Sequence, residues 1–403
     1  MNVWKILGAV AALVMPALPA AAGSRVIVSA TLNDTLLFFD AQTLVELQPP
    51  LPSKGGGPVR LWVQDFGERT YLFAANHGVV TGSVGVFDLS GDLVTELPLS
   101  PFPARPGSVG IAAGDVHVGD LVAPMVFVTN TWFALGPCSM PAGSVTAYDA
   151  SLLGDAGLLQ EIGTADVAGA IPYAVSVDGE EGLAFASGNC TATLDTMAVE
   201  RNEEVGGDAP NAARFRLEKT GAPRSTGTGP DATLFDPLKH LNYTVNIGGG
   251  SVSVHDVMTP GVLTTVPLSG GAHPIDASLA DSPAGKHWIV TANGAGNSVS
   301  LVDRDMIEAC IVQSASSCAE AEVLRVPTKP GGEPEGVAYD RGENRIFVVN
   351  KFPIGSPSLS VVQLDETSGL GGTETAVIPL GALGASAPFP ALIAFDVVVQ
   401  PRE

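Results

Sequence analysis

Arg60, Arg105, Asp231, His273, Asp276, Glu333 and Glu335 each stand within two residues of a proline, in segments that otherwise repeat one another along the chain. They hold the ingredients for two kinds of chemistry. A histidine or carboxylate that takes a proton from water, beside an arginine that steadies the developing oxyanion, would support hydrolysis. His273, Glu335, Arg60 and Arg105 are the catalytic candidates for that role. The same side chains could instead only bind, with Asp231, His273, Asp276, Glu333 and Glu335 as ligand contacts. Asp276, Glu333 and Glu335 could also hold Ca²⁺ or Mg²⁺ through hard oxygen donors, and a bound metal would lower the pKa of its water. Plainer readings stand beside these: acids at a solvated rim, and a histidine that belongs to the repeat.

No local motif does the work alone. The chain has no Gly-x-Ser-x-Gly elbow, no His-Glu-x-x-His and no Cys-x-x-Cys-His, and its six histidines are dispersed singly. The triple glycines at 55–57 and 248–250 lack the Lys-Ser/Thr ending of a phosphate loop and read as turns. A zinc protease, a standard serine hydrolase and a c-type cytochrome are disfavoured, so any catalytic site has to be assembled from distant segments.

The positioning elements are short strands. With 47 Gly, 31 Pro and only 15% charged residues in 403, the chain suits many strands and turns around a large core, and no helical period survives past the N-terminus. Residues 1–22 carry one positive charge at Lys5, an apolar run from Ile6 to Met15 and Ala20-Ala21-Ala22, which reads as a secretory signal peptide. The remainder, 23–403, reads as one domain, periplasmic or secreted, without a transmembrane segment and expected to be a monomer. A net charge of −22 makes nucleic acid an unsuitable partner.

WIVTAN (Trp288 to Asn293) recurs as VIVSAT, YLFAAN, MVFVTN, LAFASG, NYTVN and IFVVN. A following strand ends in Asp at Asp40, Asp88, Asp149, Asp195, Asp256 and Asp303, where Asp can bond its own backbone in a turn. A preceding strand runs from a proline to an Asp, as in Pro274 to Asp281 and Pro390 to Asp396. A last strand carries Pro98, Pro267, Pro327 or Pro379, and a proline belongs at a sheet edge. Four strands per unit at a period of about 45 to 60 residues predict a seven-bladed β-propeller of antiparallel blades. The first unit lacks its first strand and the chain ends with a spare one from Ala391, so the C-terminal strand should pair with the N-terminal blade and close the ring. Blade four is the poorest copy.

The run HPIDASLADSPAGKHWIVTANGAGNSVSLVD resembles the YVTN-repeat propellers, and the resemblance extends from Arg25 to Val399. It implies the fold strongly and function weakly, since such propellers include surface-layer proteins, periplasmic proteins and relatives of seven-bladed lactonases.

Topology then places the chemistry. Loops entering first strands and loops leaving second strands emerge on one face, so the proline-flanking residues should line its central mouth. His77, Asn76, Asn130, Asn293 and Asn350 should ring them further out, although Asn is also a plain turn former there. Two functions follow: an exported binding or scaffold propeller that engages a protein, glycan or small ligand at this face, or a lactonase-like hydrolase at the channel mouth. An even count of four cysteines in an exported chain predicts two disulfides, Cys138 with Cys190 across adjacent blades and Cys310 with Cys318 within one loop.

Overall fold

The structure is a computed structural model that describes residues 24–77, 82–91, 95–97, 102–103, 107–131, 143–167, 171–205, 211–351, 357–365, 371–380 and 394–401. The expected signal peptide, Arg105, Pro98 and Cys138 lie outside the described residues. Seven antiparallel sheets follow one another along the chain, each with its first strand innermost. Every inner strand contacts the inner strands of its two neighbours, so the ring is closed. Blade one is completed as expected: Ala394–Gln400 pairs with Arg25–Ala30 ahead of Thr35–Asp40. Because both chain ends share one sheet, that blade has no free inner edge.

Second strands are buried along most of their length, largely by apolar residues, because both faces of each sheet are covered by neighbouring blades. Arg25–Ala30, Leu241–Asn246 and Arg345–Asn350 are buried at every residue. The outermost strand Gly372–Pro379 alternates half-buried and exposed residues instead, since only one face is covered. The core therefore lies between blades; Phe39 and Val26 of blade one pack with Phe347 and Leu359 of blade seven.

The turn aspartates act as their sequence positions suggest. Asp88 accepts from the Ser90 N–H at 2.8 Å, Asp149 from Ser151 at 2.7 Å and Asp256 from Thr259 at 2.7 Å. Two expected positions are corrected. Asp195 does not end a strand: Thr193–Arg201 continues past it, and Asp195 pairs there with Lys219. Asp396 does not end one either, because the closing strand begins at Ala394 and puts Asp396 near its start. Blade four is also a fuller copy than its sequence suggests, with an outer strand, Phe215–Ser225, of 11 residues.

Two short helices were not expected, Leu153–Ala156 and Arg304–Val312. Arg304–Val312 is capped by Asp303, whose carboxylate accepts from the Asp305 and Met306 N–H groups, and it buries Arg304, Ile307 and Cys310 at a spacing of three. Cys310 on this helix is bonded to Cys318, with Cα atoms 6.0 Å apart. Cys190 is also disulfide-bonded, while its expected partner Cys138 is outside the described residues. Among the described residues no helix is long and apolar enough to cross a membrane.

Candidate functional site

Each first strand carries a bulge near its start, and the bulges place the polar groups of the mouth. Pro230 pairs with Asn246 but Ala232 with Val245, so Asp231 is an extra residue; Glu335 is the extra residue between Pro334 and Gly336 in the same way. In blades two and six the extra residues are Val59 and Ile275, and Arg60 and Asp276 follow them. The register also shifts by one residue at this level in blades one, three and four. A bulge re-aims the side chains beside it, which suits a rim where groups from several strands converge.

Arg60 is the centre. Its Nη1 lies 2.9 Å from Asp276 Oδ1 and 3.9 Å from Asp396 Oδ1, so one guanidinium joins blades two, six and one. Both aspartates also stitch neighbouring inner strands together: Asp276 Oδ2 accepts from the Val337 N–H at 3.1 Å, and Asp396 Oδ2 from Leu61 at 2.7 Å. Asp231 accepts from Asn189 Nδ2 at 3.2 Å, and Lys351 Nζ donates to Glu335 Oε1 at 2.7 Å.

Two cations thus face four carboxyls in a poorly solvated mouth, and the acids respond. Burial pushes Asp231 up to about 7, helped by Glu335 and Asp276 and opposed by Arg60. Burial also raises Asp276 and Asp396 despite Arg60, and raises Glu335 despite Lys351. Burial pulls the Arg60 guanidinium down, but the surrounding carboxylates outweigh it and the net shift is upward. Tyr173 of blade four is raised by burial and by the Asp231 charge.

The structure therefore brings Arg60, Asp231, Asp276 and Glu335 together and adds Asp396, Lys351 and Tyr173. Aligning AFDV with the PIDA of blade six would have found Asp396; nothing local marks Lys351, which follows the second strand of its blade. His273 and Glu333 occupy a different position, exposed on the rim with φ of 45° and 46°. Their carbonyls accept the N–H groups of Gly294 and Lys351, the same bond that Gly57, Gly107 and Gly229 make at φ of 67°, 77° and 64° in other blades. They hold a glycine-type turn position with a bulkier side chain. His77 makes the equivalent bond to Gly57.

The strand-end asparagines stand apart from this mouth. Asn130, Asn293 and Asn350 are 4%, 0% and 1% exposed. Asn293 Nδ2 lies 3.3 and 2.8 Å from Ser298 and Ser300 Oγ, and Asn350 Nδ2 lies 3.2 and 2.7 Å from Ser358 and Ser360 Oγ. Asn130 reaches Ser144 and Thr146, and Asn76 reaches Ser83. Each amide pins its second strand to the third inside the blade.

Asp276, Glu333 and Glu335 are not gathered as a metal shell: among the described residues the only close group of possible ligands is Cys310, Cys318 and Glu320. Its two thiols are consumed by the disulfide. Asp276 and Glu335 already have Arg60 and Lys351 as counter-ions, so this donor set does not fit Ca²⁺ or Mg²⁺.

No family model matches the chain, and no curated protein does. Solved structures do match in fold. The periplasmic gluconolactonase PpgL of Pseudomonas aeruginosa superimposes with a TM-score of 0.63 at 16% identity, over 94% of this chain and 99% of the other. A putative 6-phosphogluconolactonase from Bacteroides fragilis NCTC 9343 gives 0.63 at 14%, over 95% and 99%. A functionally unknown protein from Desulfotomaculum acetoxidans DSM 771 gives 0.61 at 13%, over 94% and 100%. The chain is a seven-bladed β-propeller with lactonase-like structural neighbours.

Proposed function

We propose that the chain is an exported binding propeller that takes a small polyhydroxylated ligand at the loop-bearing mouth, among Arg60, Asp231, Glu335 and Lys351. The observation that carries this reading is the convergence of these groups from blades two, five and seven beside bulged strand starts, with Asp231 and Glu335 raised by burial. Carboxyls accept from ligand hydroxyls and the two cations donate, the usual division of labour in a polar pocket. Export is supported by the leader-like first 22 residues and by the Cys310–Cys318 bridge.

A second reading, hydrolysis of a sugar lactone, is favoured by Asp231 alone. A carboxyl near 7 can take a proton from water as it attacks the lactone carbonyl, Arg60 can steady the oxyanion, and ring opening expels the ring oxygen, which is reprotonated to give a hydroxy acid. The names of the gluconolactonase neighbours make aldonolactones the first substrates to try.

Two assays test these readings. Calorimetric titration of the mature chain with gluconate and neutral sugars should show saturable binding that weakens about tenfold or more in Glu335→Gln, and a pH-stat assay with gluconolactone should show turnover lost in Asp231→Asn if the second reading holds. Absence of binding to any of these ligands, together with lactone hydrolysis no faster than buffer, overturns both.

A further inference from the structure

Beneath the Arg60–Asp276 bridge the axis of the ring is an open channel of about 700 Å³, lined by the inner strands of all seven blades. Its wall includes Arg60, Asp276 and Asp396 but, among the described residues, not Asp231, Glu335 or Lys351. The ion pair thus separates the mouth described above from the channel. At the other end the wall reaches Gln64, Asp115, His117, Glu180 and Pro237, on the side of the turns between first and second strands. Asp115, His117, Glu180 and Pro237 are exposed, so the channel opens on that opposite face.

Two features of the wall bear on what could fill it. Between its ends it is mainly apolar, beside the hydroxyls of Ser176, Thr233 and Ser278: Trp62, Val177, Leu234, Leu279 and Val399 line it and are only half-buried, so they keep contact with the cavity. Aromatic residues line it from three blades, with Phe235 and Tyr339 besides Trp62. The charged groups of the wall are unbalanced, with four carboxyls, Asp115, Glu180, Asp276 and Asp396, against the single guanidinium of Arg60. An inorganic cation gains nothing from apolar walls, and an organic anion meets the wrong field. A molecule with an apolar body and an ammonium head satisfies both features, because aromatic faces and carboxylates each attract such a head. The volume falls within the roughly 300–1,000 Å³ of ordinary small-molecule sites.

We propose that the central channel is a second binding site, entered from the face opposite the Arg60 mouth, for an organic ammonium ion with an apolar body. It is independent of any ligand at the Asp231–Glu335 mouth. The probes are benzyltrimethylammonium, benzyl alcohol and benzoate, titrated calorimetrically into the mature chain at pH 8. Saturable binding is expected for the ammonium ion and none for benzoate. Trp62→Leu should weaken it about tenfold, and Asp115→Asn, at the exposed entrance and so harmless to folding, about threefold. No saturable binding of the ammonium ion, or equal binding of all three probes, overturns the proposal. So does a loss of affinity in Asp231→Asn with Asp115→Asn unaffected, which would put the cation on the other side of Arg60.

Discussion

Arg60 on blade two meets Asp276 on blade six across the channel, with Nη1 2.9 Å from Oδ1, although blades one and seven stand between them in the ring. The pair is a tie across the axis and, with Asp396, the division between the mouth and the channel. Removing the cation leaves two buried carboxyls facing one another. Arg60→Met is therefore expected to destabilise by about 3–5 kcal/mol at pH 8. The loss should shrink at pH 5, where a proton can replace the missing charge. Denaturant titrations at the two pH values check both statements.

Asp231 sets a pH dependence whose sign is definite. Its carboxyl lies at about 7 in the folded chain, against an ordinary value of 3.8, so between these values the folded state holds a proton that the unfolded chain releases. Stability therefore falls as pH rises from about 4 to about 7. Asp231→Asn removes this contribution and should flatten the slope of melting temperature against pH, leaving the variant about 2–4 °C more stable than the parent at pH 8. An unchanged slope would show that Asp231 is not the group being titrated.

Ring closure rests on Ala394–Gln400, which supplies the inner strand of blade one and, through Asp396, the acceptor for the Leu61 N–H. Deleting 391–403 removes that strand and frees the inner edge of Arg25–Ala30. A melting temperature lower by on the order of 10 °C or more, with loss of a single sharp transition, is expected in scanning calorimetry.

Asn350 separates architecture from ligand recognition. Asn350→Ala leaves Ser358 and Ser360 without their amide partner and should cost about 1–3 kcal/mol. Ligand affinity at the mouth, measured on the folded fraction by calorimetry, should stay within about twofold of the parent. A large loss of affinity at unchanged stability would return this residue to the binding ring.

Much of the architecture was legible because it is carried by local patterns. Doubly covered second strands read as apolar runs such as IFVVN, prolines mark outer edges at Pro327 and Pro379, and a missing first strand at one terminus matches a spare one at the other. The Cys310–Cys318 bridge spans a loop short enough to be read from spacing. The Arg304–Val312 helix was hidden because its apolar positions are few; its cap at Asp303 looked like one more strand-ending turn.

The residue types at the mouth, and the face on which Arg60, Asp231, Asp276 and Glu335 emerge, follow from the chain's own repeats. Which of them meet was decided by tertiary structure. A single extra residue at the start of each first strand shifts the register, so that Asp231 and Glu335 occupy bulges while His273 and Glu333, each two positions before the bulge residue of its own blade, are left as exposed turn residues. The asparagines look like rim residues in the sequence and become internal pins because the serines opposite them are brought in by strand pairing. The Arg60–Asp276 tie joins positions more than 200 residues apart, and the curvature of a closed ring, which no local pattern encodes, is what brings them within bonding distance.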